Sequence, residues 1–73
     1  MRKYEWSGVP ENINWIATDE MKSVWGFTHF PSEVYSNGFS CGDDGQLFLL
    51  LRIKPYQGDW MESIEQRQEE QSQ

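Results

Sequence analysis

Gln46-Leu47-Phe48-Leu49-Leu50-Leu51-Arg52-Ile53 is the one stretch of the chain where apolar residues follow each other without a break. Gly45 closes a turn before it and Pro55 stops regular pairing after it. The space between those breakers is short for a helix and ordinary for a strand, although leucine by itself favours helix. Length and punctuation decide for a strand. A strand apolar on both faces reads as a central one, covered at least in part by other elements. Truncating Leu49 or Leu50 is then expected to be costly. If one of them proves neutral, its face is open and the leucines themselves become a binding surface.

Working outward toward the N-terminus, 42–45 (Gly-Asp-Asp-Gly) reads as a tight hairpin turn joining residues 39–41 to this strand. Asn37-Gly38 is another turn signal, and residues 31–35 fit a single helical turn. Residues 12–18 and 24–30 are β-rich runs separated by a polar five-residue loop, a hairpin that Pro31 terminates. In the first run Ile13, Trp15 and Ala17 share one face, and Asn14, Ile16 and Thr18 the other. Ahead of it, Lys3-Tyr4-Glu5-Trp6 alternates charge with aromatic and is cut off by the breaker cluster Ser7-Gly8-Val9-Pro10. Residues 1–10 therefore read as an edge strand or an arm that orders on contact.

Toward the C-terminus, Asp59 with Glu62 three positions later forms a capping-box pattern, and Trp60 and Ile64 stand one turn apart. That predicts a short helix. Past Ile64 no apolar residue remains, so residues 67–73 are expected to be a disordered acidic tail. The expected fold is α+β: one small domain over 1–66, with an antiparallel sheet of three to four strands and a short C-terminal helix.

Composition narrows the function classes. The chain has 73 residues, a net charge of −6 and a single cysteine. A domain this small is marginally stable, and one unpaired thiol with no metal ligand set fits a reducing cytoplasm. The longest apolar run, five residues, is far too short to span a membrane. Five acids against Arg67 from Asp59 onward make direct nucleic-acid binding through phosphates improbable. An acidic chain seeks basic protein surfaces instead.

No catalytic constellation emerges. His29 and Cys41 are each alone of their kind, and nothing supplies the third group that a nucleophilic site needs. The spacing of Asp43-Asp44-Gly45 is not that of a calcium loop. The expectation is a non-enzyme with no cofactor, no metal and no small-molecule substrate. If the strands run alternately up and down, the loop carrying Asp19 and Glu20 lies at the same end of the sheet as the turn carrying Asp43 and Asp44. Those four would form an acidic rim relieved only by Lys22. Trp25 and the arm residues Tyr4 and Trp6 are the expected aromatic anchors beside it.

Three segments carry a resemblance: Trp15-Ile16-Ala17-Thr18-Asp19, then Val24-Trp25-Gly26-Phe27 with a following proline, and Gly58-Asp59-Trp60-Met61-Glu62-Ser63. Together they resemble a group of small phage-encoded proteins built as Trp-Ile-Ala-x-Asp, hairpin, aromatic strand, Pro, then Trp-x-x-Ser. The match covers roughly residues 15–67. It departs at the first turn, where Glu20-Met21-Lys22-Ser23 replaces the group's glycine-containing loop. In length and acidity the chain is also similar to a phage transcription regulator that binds host RNA polymerase. That similarity implies a takeover protein of the host cytoplasm that impedes promoter-specific initiation and alters termination. The alternatives are an acidic nucleic-acid mimic inhibiting a host nuclease or defence complex, and a phage accessory protein without a host target.

Overall fold

The computed structural model describes residues 2–68. Six strands follow each other: β1 (Trp15–Thr18), β2 (Val24–Phe27), β3 (Glu33–Val34), β4 (Phe39–Ser40), β5 (Leu47–Leu49) and β6 (Glu65–Gln66). Four of them form an antiparallel sheet in the order β5-β2-β1-β6, while β3 and β4 pair as a separate two-stranded ribbon. Among the described residues there is no α-helix. The expected C-terminal helix is a single 3-10 turn, Trp60–Glu62, which Asp59 caps by accepting the Met61 N–H at 3.0 Å. Propagation stops there because Ser63 and Glu65 are drawn into the sheet instead.

The expected hairpin is present, and its turn explains how a loop without glycine closes. Lys22 N–H donates to Asp19 O at 3.0 Å, and Asp19 N–H to Ser23 O at 2.9 Å. Lys22 sits in the left-handed region at φ 69°, a place that glycine normally takes. The Asp19 carboxylate compensates by accepting Met21 N–H and Ser23 N–H through Oδ1 and Trp25 Nε1–H through Oδ2, at 2.8 to 3.0 Å. Asp19 is thus the pin of the turn.

The sheet is covered on both faces, and β1 is its centre. One face carries Ile16 and Val24 beneath the N-terminal segment, whose Tyr4, Trp6, Val9 and Ile13 are all buried. On the other face Ala17, Phe27 and Cys41 pack with Trp15, Trp25, Phe39 and Ile64. The N-terminal segment is therefore half of the core, which corrects its reading as an arm. Ile13 belongs to this first cluster and not with Trp15 and Ala17, because β1 begins only at Trp15.

The C-terminal strand fastens that segment. The Glu65 carboxylate accepts Lys3 N–H at 3.0 Å and Trp6 Nε1–H at 2.9 Å. Arg67, which the sequence places in the tail, donates to the carbonyls of Val9, Pro10 and Ile13 and lies 4.8 Å from the Trp6 ring centroid. Its backbone N–H also reaches Asn14 O at 2.8 Å. Gln68 is exposed, and the other tail residues, 69–73, lie outside the described residues.

The strand taken as central is an edge. β5 pairs only with β2, in the register Leu47↔Phe27, Phe48↔Gly26 and Leu49↔Trp25. Leu47, Phe48 and Leu49 are each over 40% exposed, and Leu51 is 84% exposed. Residues 31–35 form no helical turn either, because Glu33 and Val34 pair with Ser40 and Phe39. That ribbon adds a chain reversal the sequence reading lacked, so β5 runs in the same direction as β1.

Candidate functional site

The ends of the sheet decide the fate of the acidic rim. Asp19 and Glu20 follow Thr18, which pairs with Val24, and Leu50 N–H bonds to Val24 O at that same end. Asp43 and Asp44 precede Gln46, whose carbonyl accepts Thr28 N–H at the other end of β2. The two acidic pairs therefore stand at opposite ends of the sheet. Asp19 is also committed to its own turn, and Glu20 N–H bonds to Asn37 O at 3.0 Å. Asp43 and Asp44 are exposed.

The expected aromatic anchors are also placed differently. Tyr4 and Trp6 are 5% and 6% exposed, so they offer a partner little surface. Trp25 is half-buried, tied to Asp19, and lines a cleft of about 180 Å³ with Leu47, Tyr35 and Phe39.

Tyr4 belongs to a buried polar network whose protons have one consistent arrangement. Its hydroxyl donates to Ser63 O at 2.8 Å, so in the 2.7 Å contact with Thr18 Oγ1 the threonine must be the donor. Thr18 Oγ1 then accepts Tyr56 N–H at 3.0 Å. Ser63 Oγ accepts Thr18 N–H at 2.8 Å and donates to Thr18 O at 2.9 Å. The β1–β6 register pairs Trp15 with Gln66 and Ile16 with Glu65, and its continuation sets Thr18 opposite Ser63. The serine side chain thus stands in for a strand backbone and extends the ladder by one rung. Burial pushes the Tyr4 phenol above its ordinary pKa. Every buried side-chain polar atom of the described residues has a partner, so this network stabilises the fold.

His29 and Cys41 approach each other around Gly45. A Cβ there would meet Cys41 Sγ at 2.6 Å and His29 Nδ1 at 3.0 Å. The thiol donates to Gln46 O, however, and the ring nitrogen is engaged by Thr28 Oγ1 at 2.9 Å. No hydrogen bond joins the two. Among the described residues no group of three or more His, Cys, Asp or Glu is placed to hold a metal ion.

What remains is the β5 edge and the groove beside it. Thr28 N–H to Gln46 O and Leu50 N–H to Val24 O fix the hydrogen-bonded positions of the β2–β5 ladder. Antiparallel pairs alternate, so Phe48 points its peptide groups at β2, and those of Leu47 and Leu49 point outward with no strand beyond among the described residues. Adjoining this edge is an open groove of about 1540 Å³ between residues 2–10 and 49–57. Arg2, Lys3, Arg52 and Lys54 line it, with Glu5 the one acid. Four of the six basic residues of a chain with net charge −6 are gathered there.

The sequence hinted at this site. An apolar run that ends in Arg52 and Lys54 with Pro55 beyond carries the charges and the proline by which edge strands are guarded. The contribution of Arg2 and Lys3 depends on the fold of the N-terminal segment. No helix among the described residues is long and apolar enough to cross a membrane. No protein family, curated protein or solved structure matches the chain.

Proposed function

We propose that this chain is a binding protein without chemistry of its own, that it docks on another protein through the β5 edge, and that its partner is bacterial RNA polymerase. The observation that carries the reading is the coincidence, on one edge strand, of exposed Leu47, Phe48 and Leu49, with Leu51 just beyond, and outward peptide groups; Met21, Phe30, Val34, Tyr35 and Met61 are exposed elsewhere. A domain this small gains from every apolar side chain it can bury, and an open apolar edge invites a partner. The choice of polymerase rests on the resemblance in length and acidity to a phage transcription regulator. Seated on the polymerase in the host cytoplasm, the chain impedes promoter-specific initiation and alters termination.

The test uses purified bacterial core and holoenzyme. Binding at micromolar concentration, with inhibition of promoter-specific transcripts relieved by Leu49→Lys, is the expected result. No binding to either form of the enzyme overturns the choice of partner. Inhibition unchanged in Leu49→Lys and Leu47→Lys overturns the docking surface. The split of the acidic residues between two ends leaves no observation in favour of a continuous nucleic-acid mimic.

A further inference from the structure

We propose that the β5 edge receives an extended acidic segment of the partner by strand addition, the added strand lying beside the basic groove. The inference rests on the reading of the chain as a protein-binding module and specifies the chemistry of what it binds.

Three observations converge. First, the peptide groups of Leu47 and Leu49 face outward from the sheet, two donors and two acceptors in the spacing that a new strand would match. Second, apolar side chains flank those groups on both faces, with Leu47 and Leu49 on one and Phe48 on the other, each part-exposed. Side chains of an added strand alternate between the same two faces and cover them. Third, charge is segregated. Arg52 and Lys54 come shortly after β5, past Leu50 and Leu51, and Arg2 and Lys3 line the same groove from the N-terminal segment. Of these four, only Lys3 hydrogen-bonds another described residue, through Nζ to Ile64 O at 3.2 Å.

A segment with alternating apolar residues and a flanking acidic cluster answers all three features. Nucleic acid answers only the third. The groove's aromatic residues are Tyr4 and Trp6, both buried, and half-buried Tyr56, so it offers no platform on which bases could stack. The overall charge of −6 also opposes a polyanion with no apolar contacts. A second copy would bring its own Arg52 and Lys54 to the same edge.

The experiment titrates the full chain with synthetic peptides in which four acidic residues precede alternating valine and threonine. Comparison probes carry lysines in place of the acids or serines in place of the valines, and an oligouridylate tests for nucleic acid. The expected result is saturable binding of the acidic-apolar peptide alone, weakening at least about tenfold between low and high salt. Hydrogen exchange at the Leu47 and Leu49 amides slows on binding, while the Phe48 amide, already paired to β2, is unchanged. The double variant Arg52→Glu, Lys54→Glu lowers affinity at least about tenfold without changing Tm, since both side chains are exposed. Leu49→Pro removes one outward N–H and no β2–β5 bond, so it abolishes binding with the fold retained by circular dichroism.

Failure of the acidic-apolar peptide to bind overturns the inference, as does binding without protection at Leu47 and Leu49. Tighter binding of oligouridylate overturns it in favour of nucleic acid. A dimer that protects the same two amides without peptide overturns it in favour of a second copy. If polymerase binds but Leu49→Pro and the charge reversal leave that binding intact, this inference fails while the polymerase reading stands.

Discussion

β1 and β5 are antiparallel-sheet strands of similar length separated by one neighbour, yet they have opposite fates. β1, Trp15-Ile16-Ala17-Thr18, mixes sizes and polarity and is buried on both faces. β5, Leu47-Phe48-Leu49, is wholly apolar and exposed along its length. Hydrophobicity therefore did not choose the centre of this sheet. Ladder partners did: β1 has β2 on one side and β6, with the Ser63 side chain, on the other. β5 has a partner on one side only.

Truncation should reveal that asymmetry as a difference in stability. Ile16 is fully buried, so Ile16→Ala should cost about 2–5 kcal/mol, enough to erase the cooperative thermal transition of a domain this small. A Tm within a few degrees of the parent would remove β1 from the centre. Ser63→Ala should cost about 2–4 kcal/mol, because it leaves the N–H and C=O of buried Thr18 unpaired. Urea midpoints measure this, and an unchanged midpoint would mean the serine rung carries no weight.

Smaller effects sharpen the contrast at the turns. Gly45→Ala places a Cβ against Cys41 Sγ and His29, at the entrance to β5, and should destabilise by about 1–3 kcal/mol. If it does not, the entrance to the edge strand yields more readily than the contacts imply. Lys22→Gly should do the reverse and raise stability by about 1 kcal/mol, since the left-handed conformation at this position suits glycine. A drop in urea midpoint would instead assign value to the Lys22 Nζ contact with Tyr56 O. Leu49→Ala should be the mildest, below about 1 kcal/mol, while still weakening partner binding. Loss of several kcal/mol there would return β5 to the core.

How much of this was legible follows from how local each signal is. The hairpin of β1 and β2 was readable because alternation, a polar loop and Pro31 all lie within twenty residues of sequence. Asn37-Gly38 marked a turn correctly, with Tyr35 N–H bonding to Gly38 O at 2.7 Å, but not which strands it joins. The β3–β4 ribbon was the hidden element, and missing it reversed the direction of β5 and joined two acidic loops that are apart. Tyr4 and Trp6 read as anchors because an alternating charged and aromatic segment looks the same exposed or packed. Only the distant Glu65 and Arg67 settle which. Residues 15–19 and 60–63 also have a physical role in the fold. Asp19 pins the turn, Ser63 completes the β1 ladder, and Trp60 packs edge-on against Phe39, with ring centroids 5.4 Å apart.

The fastening of the N-terminal segment by the last strand also sets a timetable for synthesis. Lys3 waits for Glu65, which is 62 residues later. At about 5–20 residues per second a ribosome needs about 3–12 s to supply it, whereas a hairpin such as β1–β2 closes in about 1–10 μs. The growing chain therefore spends seconds with its central strand formed on one side and bare on the other, and with Tyr4 and Trp6 in search of a lid. Nascent chains held with residues 65–67 still inside the ribosome should be captured by chaperones that recognise apolar segments, and release should follow once Arg67 has emerged.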